Sequence, residues 1–380
     1  MYFHHLHFYV KDTAFWTQWF EHKLSFQRIN LSTAPTQHLS EQARCEQTKC
    51  EQTRYEPVIL TQGSIEIRLS SPQHQPAVAT YLSHHPPGLA DIALATKDLT
   101  ATLHRAQRQG ATVLQPIHTN RVGQRQCQIQ GWADLRHTLI EVDTCRGNSQ
   151  AHNQIQYHQI QYHQPGAAPP LVSLIDHVVI NVPKGDLQAA VAWYQKIFGC
   201  QLGQSFEIST ANSGLCSQVL THPEGPLQLP INEPSSKNSQ IQEFLNHNRG
   251  AGVQHVALRA PDAIEAITQF RHQGLDLLQV PNTYYEDLNQ RSDRPIQDLS
   301  AISRQQLLLD WAQGGQAGML LQTFTQPIFS EPTFFFEVIE RSDYYENGQT
   351  KTAEGFGEGN FQALFEAIER AQIKRGSLQT

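Results

Sequence analysis

The sequence predicts an α+β protein of two tandem domains, and three observations support this fold class. The chain of 380 residues is 39% hydrophobic and 17% charged, which suits about two or three packed domains. Similar segments occur in the same order in both halves of the chain. Each segment combines short strands, rich in β-branched and aromatic residues, with amphipathic helices. Strands and helices are therefore mixed along both halves.

The first repeated segment begins at Phe3 and again at Ile175. The stretches FHHLHFYVKDTAFWTQWF and IDHVVINVPKGDLQAAVAWYQKIFG each predict a strand, a polar turn and an amphipathic helix. In the second copy, apolar residues recur at helical spacing from Leu187 to Phe198, and Gly199 suits the position after a helix end. We therefore expect a βα unit at the start of each half.

A second pair of similar segments begins at Leu89 and at Val253. The stretches LADIALATKDLTATLHRAQRQG and VQHVALRAPDAIEAITQFRHQG each predict a strand, an acidic helix start, a helix and a closing glycine. A third, weaker pair is HTLIEVD from His137 and FFFEVIERSD from Phe334. Each half thus contains two βα units joined by further strands. The repeat period is far above about 20–50 residues, so this is a duplication of modules and not a solenoid.

We predict domains at residues 1–150 and 171–380, separated by a low-complexity linker at 151–170. The linker stretch QIQYHQIQYHQPG repeats every five residues and has no apolar stripe. The stretch CEQTKCEQTRYEP from Cys45 has the same period and is interpreted as an exposed loop. We expect metal at neither segment, because the linker is polar and repetitive and the cysteine pair of the loop lacks a second pair.

Composition excludes several classes of function. The formal net charge of −7 gives no reason to expect nucleic acid or an anionic membrane as a partner. No apolar run approaches the ~20 residues that span a bilayer, and the start of the chain does not resemble a secretory signal. The six cysteines include no CxxC pair, so we expect free thiols and a cytoplasmic location.

Three polar residues of the second half lie inside otherwise apolar strands. They are His177 in LIDHVVINV, His255 in VQHVALRA and Glu337 in FFFEVIE. An unpaired buried carboxylate costs several kcal/mol, so the charge of Glu337 requires a partner. If the three strand faces line one curved sheet, two imidazoles and a carboxylate converge. That donor set is the facial triad of non-haem Fe(II) oxygenases.

Each of these residues also has a structural interpretation. A strand histidine can be a hydrogen-bonded core residue, and a strand glutamate can hold its carboxylate in water at a sheet edge. Spacing alone leaves both interpretations open, although equivalent positions in the repeated modules favour ligation. In the first half the repeat alignment gives His5, Asp91 and Glu141 as counterparts. Because Asp91 replaces a histidine, we expect a degenerate structural domain without metal there.

Four long motifs of the second half resemble one enzyme family. They are SLIDHVVINVPKGDLQAAVAWYQKIFG, LPINEPSSKNSQIQEFLNHNRGAGVQHVAL, GMLLQTFTQPIFSEPTFFFEVIER and GFGEGNFQALFEAIE. Together they resemble 4-hydroxyphenylpyruvate dioxygenases, over nearly all of 174–373 and more weakly over the first half. The resemblance implies the vicinal-oxygen-chelate superfamily. Its fold has duplicated βαβββ modules that form curved, half-open barrels with the helices outside.

The resemblance implies a reaction and its cofactor. His177, His255 and Glu337 would bind Fe(II), one ion per subunit. The substrates would be 4-hydroxyphenylpyruvate, which chelates iron through its own 2-oxo acid group, and O2. Oxidative decarboxylation, ring hydroxylation and side-chain migration would give homogentisate and CO2. The family also suggests a homodimer or homotetramer. Tyrosine catabolism and prenylquinone biosynthesis both use homogentisate, and the sequence leaves both open.

The resemblance further implies a substrate pocket. The polar residues expected to orient the substrate or act on it are Ser217, Asn232, Gln240 and Gln322. The other residues expected to line the pocket are Gln254, Pro230, Phe324, Phe335, Phe356 and Phe361. Each has an alternative role as a turn, strand-edge or core residue.

The C-terminal stretch GFGEGNFQALFEAIE predicts a lid. Three glycines precede a helix with Phe361, Leu364, Phe365 and Ile368 on one face. A helix on a glycine-rich hinge can close a site and exclude water. An ordinary docked C-terminal helix would have the same pattern, and the two interpretations are compatible.

Three other functions fit parts of the sequence. A 4-hydroxymandelate synthase would share fold, iron and substrate, but we expect its pocket to be more apolar where this chain has Asn232. An extradiol dioxygenase would share the duplicated fold and the type of triad but would lack the GFGEGNF tail. A non-catalytic binding protein on this fold has no need to keep a complete set of two histidines and a glutamate.

Overall fold

The computed structural model contains two eight-stranded sheets and one small hairpin among the residues it describes. Most of the predicted loop at Cys45 and almost all of the predicted linker lie outside these residues. The described residues are 1–29, 56–73, 75–120, 122–142, 169–210, 213–291, 296–311, 318–346 and 348–377.

The first half of the chain forms one sheet with helices packed against it. Its strands are β1 (Tyr2–Tyr9), β2 (Gln27–Ile29), β3 (Val58–Gln62), β4 (Ile65–Ser70), β5 (Gly88–Thr96), β6 (Val113–Thr119), β7 (Arg125–Gln130) and β8 (Arg136–Glu141). Its helices are α1 (Thr13–Leu24), α2 (Pro76–His84) and α3 (Leu99–Arg108).

The second half forms the second sheet. Its strands are β9 (Leu174–Asn181), β10 (Gln201–Ser209), β11 (Gly214–Thr221), β12 (Gln228–Pro234), β13 (Gly252–Arg259), β14 (Leu308–Trp311), β15 (Met319–Phe324) and β16 (Phe335–Arg341), followed by the hairpin β17 (Asp343–Glu346) and β18 (Gln349–Thr352). Its helices are α4 (Leu187–Phe198), α5 (Gln240–Asn248), α6 (Ala263–His272), α7 (Asn282–Arg291), α8 (Leu299–Gln305) and α9 (Phe361–Arg375), with a 3₁₀ turn at Glu358–Asn360.

The two sheets have the same topology. The strand order is β2-β3-β4-β1-β5-β8-β7-β6 in the first and β10-β11-β12-β9-β13-β16-β15-β14 in the second. The central strands β1 and β5, like β9 and β13, are antiparallel. Each central strand is also parallel to the last strand of its own module. This arrangement is two βαβββ modules per sheet, and it confirms the predicted α+β fold class.

Local sequence signals explain where the helices begin and end. The Asp12 side chain accepts hydrogen bonds from the first backbone amides of α1, and Asp98 and Asp262 do the same for α3 and α6. Such aspartates satisfy amides that have no partner within the helix. Helix α4 ends at Gly199 with a φ of 76°, as its sequence predicts. The predicted βα units at the start of each half are therefore present.

The geometry of strand β16 explains how a glutamate can directly follow three phenylalanines. Phe336 points towards the first half of the chain and packs on Phe20 at a ring-centroid distance of 6.0 Å, and the neighbouring Phe334 packs on Phe8 at 5.1 Å. Glu337 lies on the opposite face, because successive strand side chains alternate. One apolar cluster includes residues of both sheets. One face of β16 therefore contributes to the core that the two halves share, and Glu337 lies on the other face.

Two further observations concern membrane-spanning helices and cysteines. No helix in the described part of the chain has the length and apolarity needed to cross a membrane. Within the same residues, Cys127, Cys200 and Cys216 are free thiols.

The packing of Phe336 on Phe20 predicts a strong effect of truncation at the shared core. Phe336 is fully buried, and Phe336→Ala should lower the free energy of unfolding by about 3–5 kcal/mol, because a large cavity forms. Urea denaturation monitored by circular dichroism measures this change. Phe15 is 56% exposed on α1, so Phe15→Ala is the control and should change stability by about 0.5 kcal/mol or less. Equal effects of the two substitutions would contradict the shared core.

Candidate active site

His177, His255 and Glu337 converge on three neighbouring strands. Ala257 of β13 pairs with His177 of β9 on one side and with Glu337 of β16 on the other. Oε2 of Glu337 lies 3.2 Å from Nε2 of His177 and 3.6 Å from Nε2 of His255. The three ligand atoms all lie within 4.8 Å of one another. The register of the sheet therefore brings together residues that lie far apart in the sequence.

The charge states of His177, His255 and Glu337 are compatible with the binding of a metal ion. Burial and the neighbouring His177 hold the pKa of His255 well below its usual range, so His255 is neutral and can ligate. Burial lowers the pKa of His177, but the charge of Glu337 and the hydrogen bonds to Asp176 and Glu337 outweigh burial and raise it to about 9. A proton on His177 thus balances the buried carboxylate. A divalent cation among the three ligand atoms would provide the same balance, with both imidazoles neutral.

A β-bulge orients His177. The pairing of β9 with β13 shifts between Ile175 and His177, which leaves Asp176 as the extra residue. The Asp176 and His177 side chains consequently meet, and Nδ1 of His177 donates to Oδ1 of Asp176 at 3.0 Å. With Nδ1 occupied, Nε2 is the nitrogen that faces Glu337. A carboxylate behind a histidine in this way fixes the tautomer of a metal ligand.

All of the predicted site residues line a single pocket with about 650 Å³ of space between protein atoms, part of it open to solvent. They are His177, His255, Glu337, Ser217, Pro230, Asn232, Gln240, Gln254, Gln322, Phe324, Phe335, Phe356 and Phe361. The pocket also includes apolar residues that the sequence analysis missed. They are Val179, Phe206, Ile208, Leu215 and Val219. Period-two alternation along β9, β10 and β11 is the signal that could have identified them.

The polar side of the pocket lies on β11, β12 and α5. Ser217 and Asn232 are paired across β11 and β12, and Gln240 is buried in the first turn of α5. Nδ2 of Asn232 donates to Oδ1 of Asn181 at 3.4 Å. Gln322 is also buried, and its Oε1 has no hydrogen-bond partner within the described residues. Buried amides that line a cavity with unused hydrogen-bonding capacity can bind a polar ligand.

Aromatic rings surround the three converging residues. The ring of Phe335 stacks on His255 at a centroid distance of 4.8 Å and an interplanar angle of 17°. Phe356 meets His177 edge-on at 5.2 Å, and Phe324 meets His255 edge-on at 6.3 Å. These rings hold the imidazoles in place and give the pocket apolar walls. A planar aromatic ligand would pack well against them.

Helix α9 covers the pocket. Its residues Phe361, Leu364, Phe365 and Ile368, which the sequence predicts to share one helix face, line the cavity. The hinge before it contacts the site at Gly357, which has a φ of 74° and lies so close to Gln322 that a Cβ would overlap its side chain. Tyr284 holds the following 3₁₀ turn by donating to Oδ1 of Asn360 at 2.6 Å. The hinge is therefore packed and has a defined conformation.

The first half of the chain replaces the converging ligands with a hydrogen-bond network. His5 pairs with Ala93, as His177 does with Ala257, and Asp91 corresponds to His255. The register of β8 with β5 then aligns Thr138 with Glu337, so the expected counterpart Glu141 is wrong by three residues. Thr138 donates to Asp91 through its amide at 2.8 Å and its hydroxyl at 2.5 Å.

Another group of possible ligands lies in the first half. His4, His5 and Glu66 are buried, and their ligand atoms lie within 4.8 Å of one another. However, Nε of Arg68 donates to Oε1 of Glu66 at 2.7 Å. A guanidinium already balances this carboxylate and would repel a cation placed beside it. The absence of metal from the first half accordingly stays a prediction.

Comparison with known proteins adds independent information. Residues 174–298 match the model of the Glyoxalase/Bleomycin resistance protein/Dioxygenase superfamily. A 4-hydroxyphenylpyruvate dioxygenase of Legionella pneumophila (strain Corby) is 33% identical over 327 residues, which cover 84% of this chain and 86% of the relative. The enzyme of the same name from Danio rerio is 34% identical over 317 residues, which cover 78% of this chain and 75% of the relative.

A solved structure supports the fold. A variant of 4-hydroxymandelate synthase from Streptomyces coelicolor superposes with a TM-score of 0.76 over 97% of this chain and 98% of its own, at 24% identity. At that identity the likeness concerns the architecture alone. Fold and site together define a protein of duplicated βαβββ modules with a largely buried group of two histidines and one glutamate able to hold a metal ion. The sequence relationships go further: the chain belongs to the 4-hydroxyphenylpyruvate dioxygenase family.

From the hydrogen bonds of Asp91 we predict that removal of its carboxylate lowers stability and leaves the metal content unchanged. Asp91→Ala should lower the free energy of unfolding by about 1–3 kcal/mol, because Thr138 and Gln128 lose a buried acceptor. The number of metal ions bound per chain, measured by elemental analysis, should stay unchanged. Loss of the bound metal would contradict the structural role of this half.

The packed hinge predicts that a single methyl group loosens the lid. Gly357→Ala should speed amide hydrogen exchange throughout α9, since the new Cβ would displace the hinge from Gln322. The matched control is Gly185→Ala, where φ is also positive at 94° but a Cβ would meet nothing within 4 Å. Both substitutions carry a backbone cost of roughly 1–2 kcal/mol. If the control loosened α9 equally, the contact with Gln322 would not be what holds the hinge.

Proposed function

We infer that this protein is an Fe(II)-dependent dioxygenase that converts 4-hydroxyphenylpyruvate and O2 to homogentisate and CO2. The observation that carries this inference is the convergence of His177, His255 and Glu337 in an aromatic pocket with polar groups on neighbouring strands. Relatives that bear the dioxygenase name match about four-fifths of the chain, for example 84% in one case. Their relationship connects the geometry to this particular reaction.

The spacing between the strands that carry the ligands and Ser217 suits this substrate. The metal-ligating residues lie on β9, β13 and β16, whereas Ser217 lies on β11, two strands from β9 in the sheet order. Two strand spacings correspond to roughly 10 Å. A ligand with a 2-oxo acid at one end and a phenol at the other can therefore reach both regions. We propose that Asn232 and Gln240 hydrogen-bond the phenol, as the family resemblance implies.

In this proposal His177, His255 and Glu337 hold one Fe(II). Fe(II) held by such a donor set would supply oxygen activation. The carboxylate of Glu337 lowers the net charge of the site. Phe324, Phe335 and Phe356 would pack around the substrate ring and set its position relative to the ligands.

The lid contributes by excluding water. Phe361, Leu364 and Ile368 of α9 present apolar side chains to the pocket, so closure replaces solvent with hydrocarbon around the reacting ring. Exclusion of water protects reactive species from side reactions and strengthens the polar contacts that orient the substrate. Domain limits at 150 and 171, assembly as a homodimer or homotetramer, and a cytoplasmic location are further parts of the proposal, based on sequence and family resemblance.

Product analysis tests the proposed reaction. The purified protein is loaded anaerobically with Fe(II), mixed with 4-hydroxyphenylpyruvate and exposed to air, and the products are separated against standards. Homogentisate is the expected product. 4-Hydroxymandelate would keep fold and metal but assign the alternative hydroxylation at the benzylic carbon. Iron binding without either product would contradict the proposed substrate, and catechols would then test the extradiol alternative.

Removal of the carboxylate charge predicts loss of metal. Glu337→Gln keeps the shape of the side chain but deprives the ligand set of its anion. Fe(II) affinity should fall at least about tenfold to a hundredfold and turnover should become undetectable. Anaerobic Fe(II) titration and product analysis measure the two effects.

The control lies on the same strand. Glu340 caps α6 through its contact with the amide of Ala263 at 2.7 Å and is not part of the pocket. Glu340→Gln should leave Fe(II) affinity within about twofold of the parent protein. Full activity in Glu337→Gln, or equal loss in both variants, would overturn the assignment of Glu337 as a ligand.

A further inference from the structure

Behind His177 lies a charge cluster centred on the buried Asp176. Its carboxylate accepts a hydrogen bond from Nδ1 of His177 at 3.0 Å. Arg341 binds the same carboxylate with two nitrogens, Nε to Oδ2 and Nη2 to Oδ1, both at 2.8 Å. Arg259 adds Nε at 2.9 Å and Nη2 at 2.6 Å, both to Oδ2. Both oxygens of Asp176 are therefore committed to named partners.

The two arginines differ in what else they contact. The side chain of Arg341 is 3% exposed, and its third nitrogen, Nη1, donates to the carbonyl oxygens of Ala353 at 3.2 Å and Gly355 at 2.8 Å. The side chain of Arg259 is 30% exposed, and its guanidinium contacts within the described residues are to Asp176. Arg341 thus joins Asp176 to the hinge that precedes α9, whereas Arg259 contacts the carboxylate alone.

We propose that Arg341 is a positioning residue that couples closure of α9 over the pocket to the orientation of the metal ligand His177. This inference rests on the proposed function, because it assumes that His177 holds a metal ion. The path has three contacts in sequence: the hinge carbonyl of Gly355 with Arg341, Arg341 with Asp176, and Asp176 with the Nδ1–H group of His177. All are hydrogen bonds between buried or partly buried groups.

Movement of the hinge would disturb the contacts of Arg341. When 353–357 moves away, Nη1 of Arg341 loses both of its carbonyl acceptors in a site with little access to water. An unsatisfied buried donor is costly, so the guanidinium has to shift to find a new partner. The fork of Arg341 matches the two oxygens of Asp176 in one plane, and a shift breaks that match. Asp176 then holds the His177 ring less firmly.

Metal binding would in turn affect the hinge. A cation bound at Nε2 of His177 polarises the ring and makes its Nδ1–H a stronger donor to Asp176. The better fixed carboxylate favours the forked position of Arg341, and in that position Nη1 reaches Ala353 and Gly355. Coupling between two binding events is reciprocal. Metal binding should therefore favour the closed hinge by the same factor by which closure strengthens metal binding.

A second contact makes the role of Arg341 testable. Phe356, within the same hinge, meets the ring of His177 directly at 5.2 Å. Metal binding could consequently affect α9 through this ring contact, without Arg341. Substitution of Arg341 separates the two routes, because it leaves Phe356 and His177 in place.

The test compares Arg341→Lys with the matched control Arg259→Lys. A lysine keeps the positive charge near Asp176 but cannot contact both carboxylate oxygens and the hinge carbonyls together. Amide hydrogen exchange of α9 is measured anaerobically with and without saturating Fe(II). Fe(II) affinity is measured by titration on the same samples, and homogentisate formation is followed in parallel on the parent protein.

The expected result is specific to Arg341. Fe(II) should slow exchange across α9 severalfold in the parent protein and in Arg259→Lys, and this response should disappear in Arg341→Lys. Fe(II) affinity should also fall in Arg341→Lys, by about tenfold. Gly355→Ala approaches the same contact from the hinge, where φ is 99°, and should likewise reduce the response while Asp176 and both arginines stay intact.

Other results would overturn the inference. An undiminished response in Arg341→Lys would show that the lid senses metal through Phe356. Equal loss in both arginine variants would show that only the anchoring of Asp176 matters and that the hinge contact does not. If the parent protein forms homogentisate, either of these two results would refute the coupling through Arg341 and leave the proposed reaction in place. A response that depends on Arg341 in a protein that forms no homogentisate would refute the proposed reaction and keep the coupling.

Discussion

The structure of the second domain depends on one electrostatic constraint, the charge of Glu337 inside an apolar sheet. Glu337 is 3% exposed between strands whose other side chains are largely hydrophobic. Ionised groups in such surroundings require a close partner of opposite charge. His177 and His255 meet this need as a pair that can carry a proton or hold a cation. The aromatic residues around them keep water away and thereby keep the interaction strong.

The duplicated fold resolves the same constraint in two ways. In the second sheet the equivalent strand positions carry two histidines and a glutamate that point at one another. In the first sheet the corresponding positions carry His5, Asp91 and Thr138, and the carboxylate is satisfied by short hydrogen bonds from Thr138 and Gln128. A satisfied carboxylate in a network of neutral donors does not need a cation. Two sheets of identical topology can therefore have different chemistry.

The lid and the ligands belong to one connected structure. The apolar face of α9 closes the pocket, Gly357 permits the close approach of the hinge to Gln322, and Arg341 holds the hinge from behind. In the proposed enzyme this arrangement has a clear use. The groups that bind the metal and the groups that exclude water are joined by hydrogen bonds, so a site that lacks metal need not be as firmly closed as a loaded one.

The sequence by itself determined the module repeats, the α+β class and the identity of the three converging residues, because strand alternation and helix periodicity are local properties. Glu337 was conspicuous because a charged residue directly follows the apolar run Phe334–Phe336. The pocket residues came from the family resemblance, since residues as distant as Ser217 and Phe361 share no local pattern. Residues 30–55 and most of the predicted linker carry no structural description with which to compare them.

Only the tertiary structure decided the register and the contacts behind the site. Repeat alignment chose Glu141 where strand pairing gives Thr138, because a shift of a few residues along a strand is invisible to a weak sequence match. The bulge at Asp176 breaks the alternation that sequence reasoning assumes, and it places two consecutive side chains in contact. Arg341 was not singled out because a charged residue at a strand end normally faces water. Its burial depends on Asp176 and on a hinge that lies far along the chain, and such long-range contacts exist only once the chain has folded.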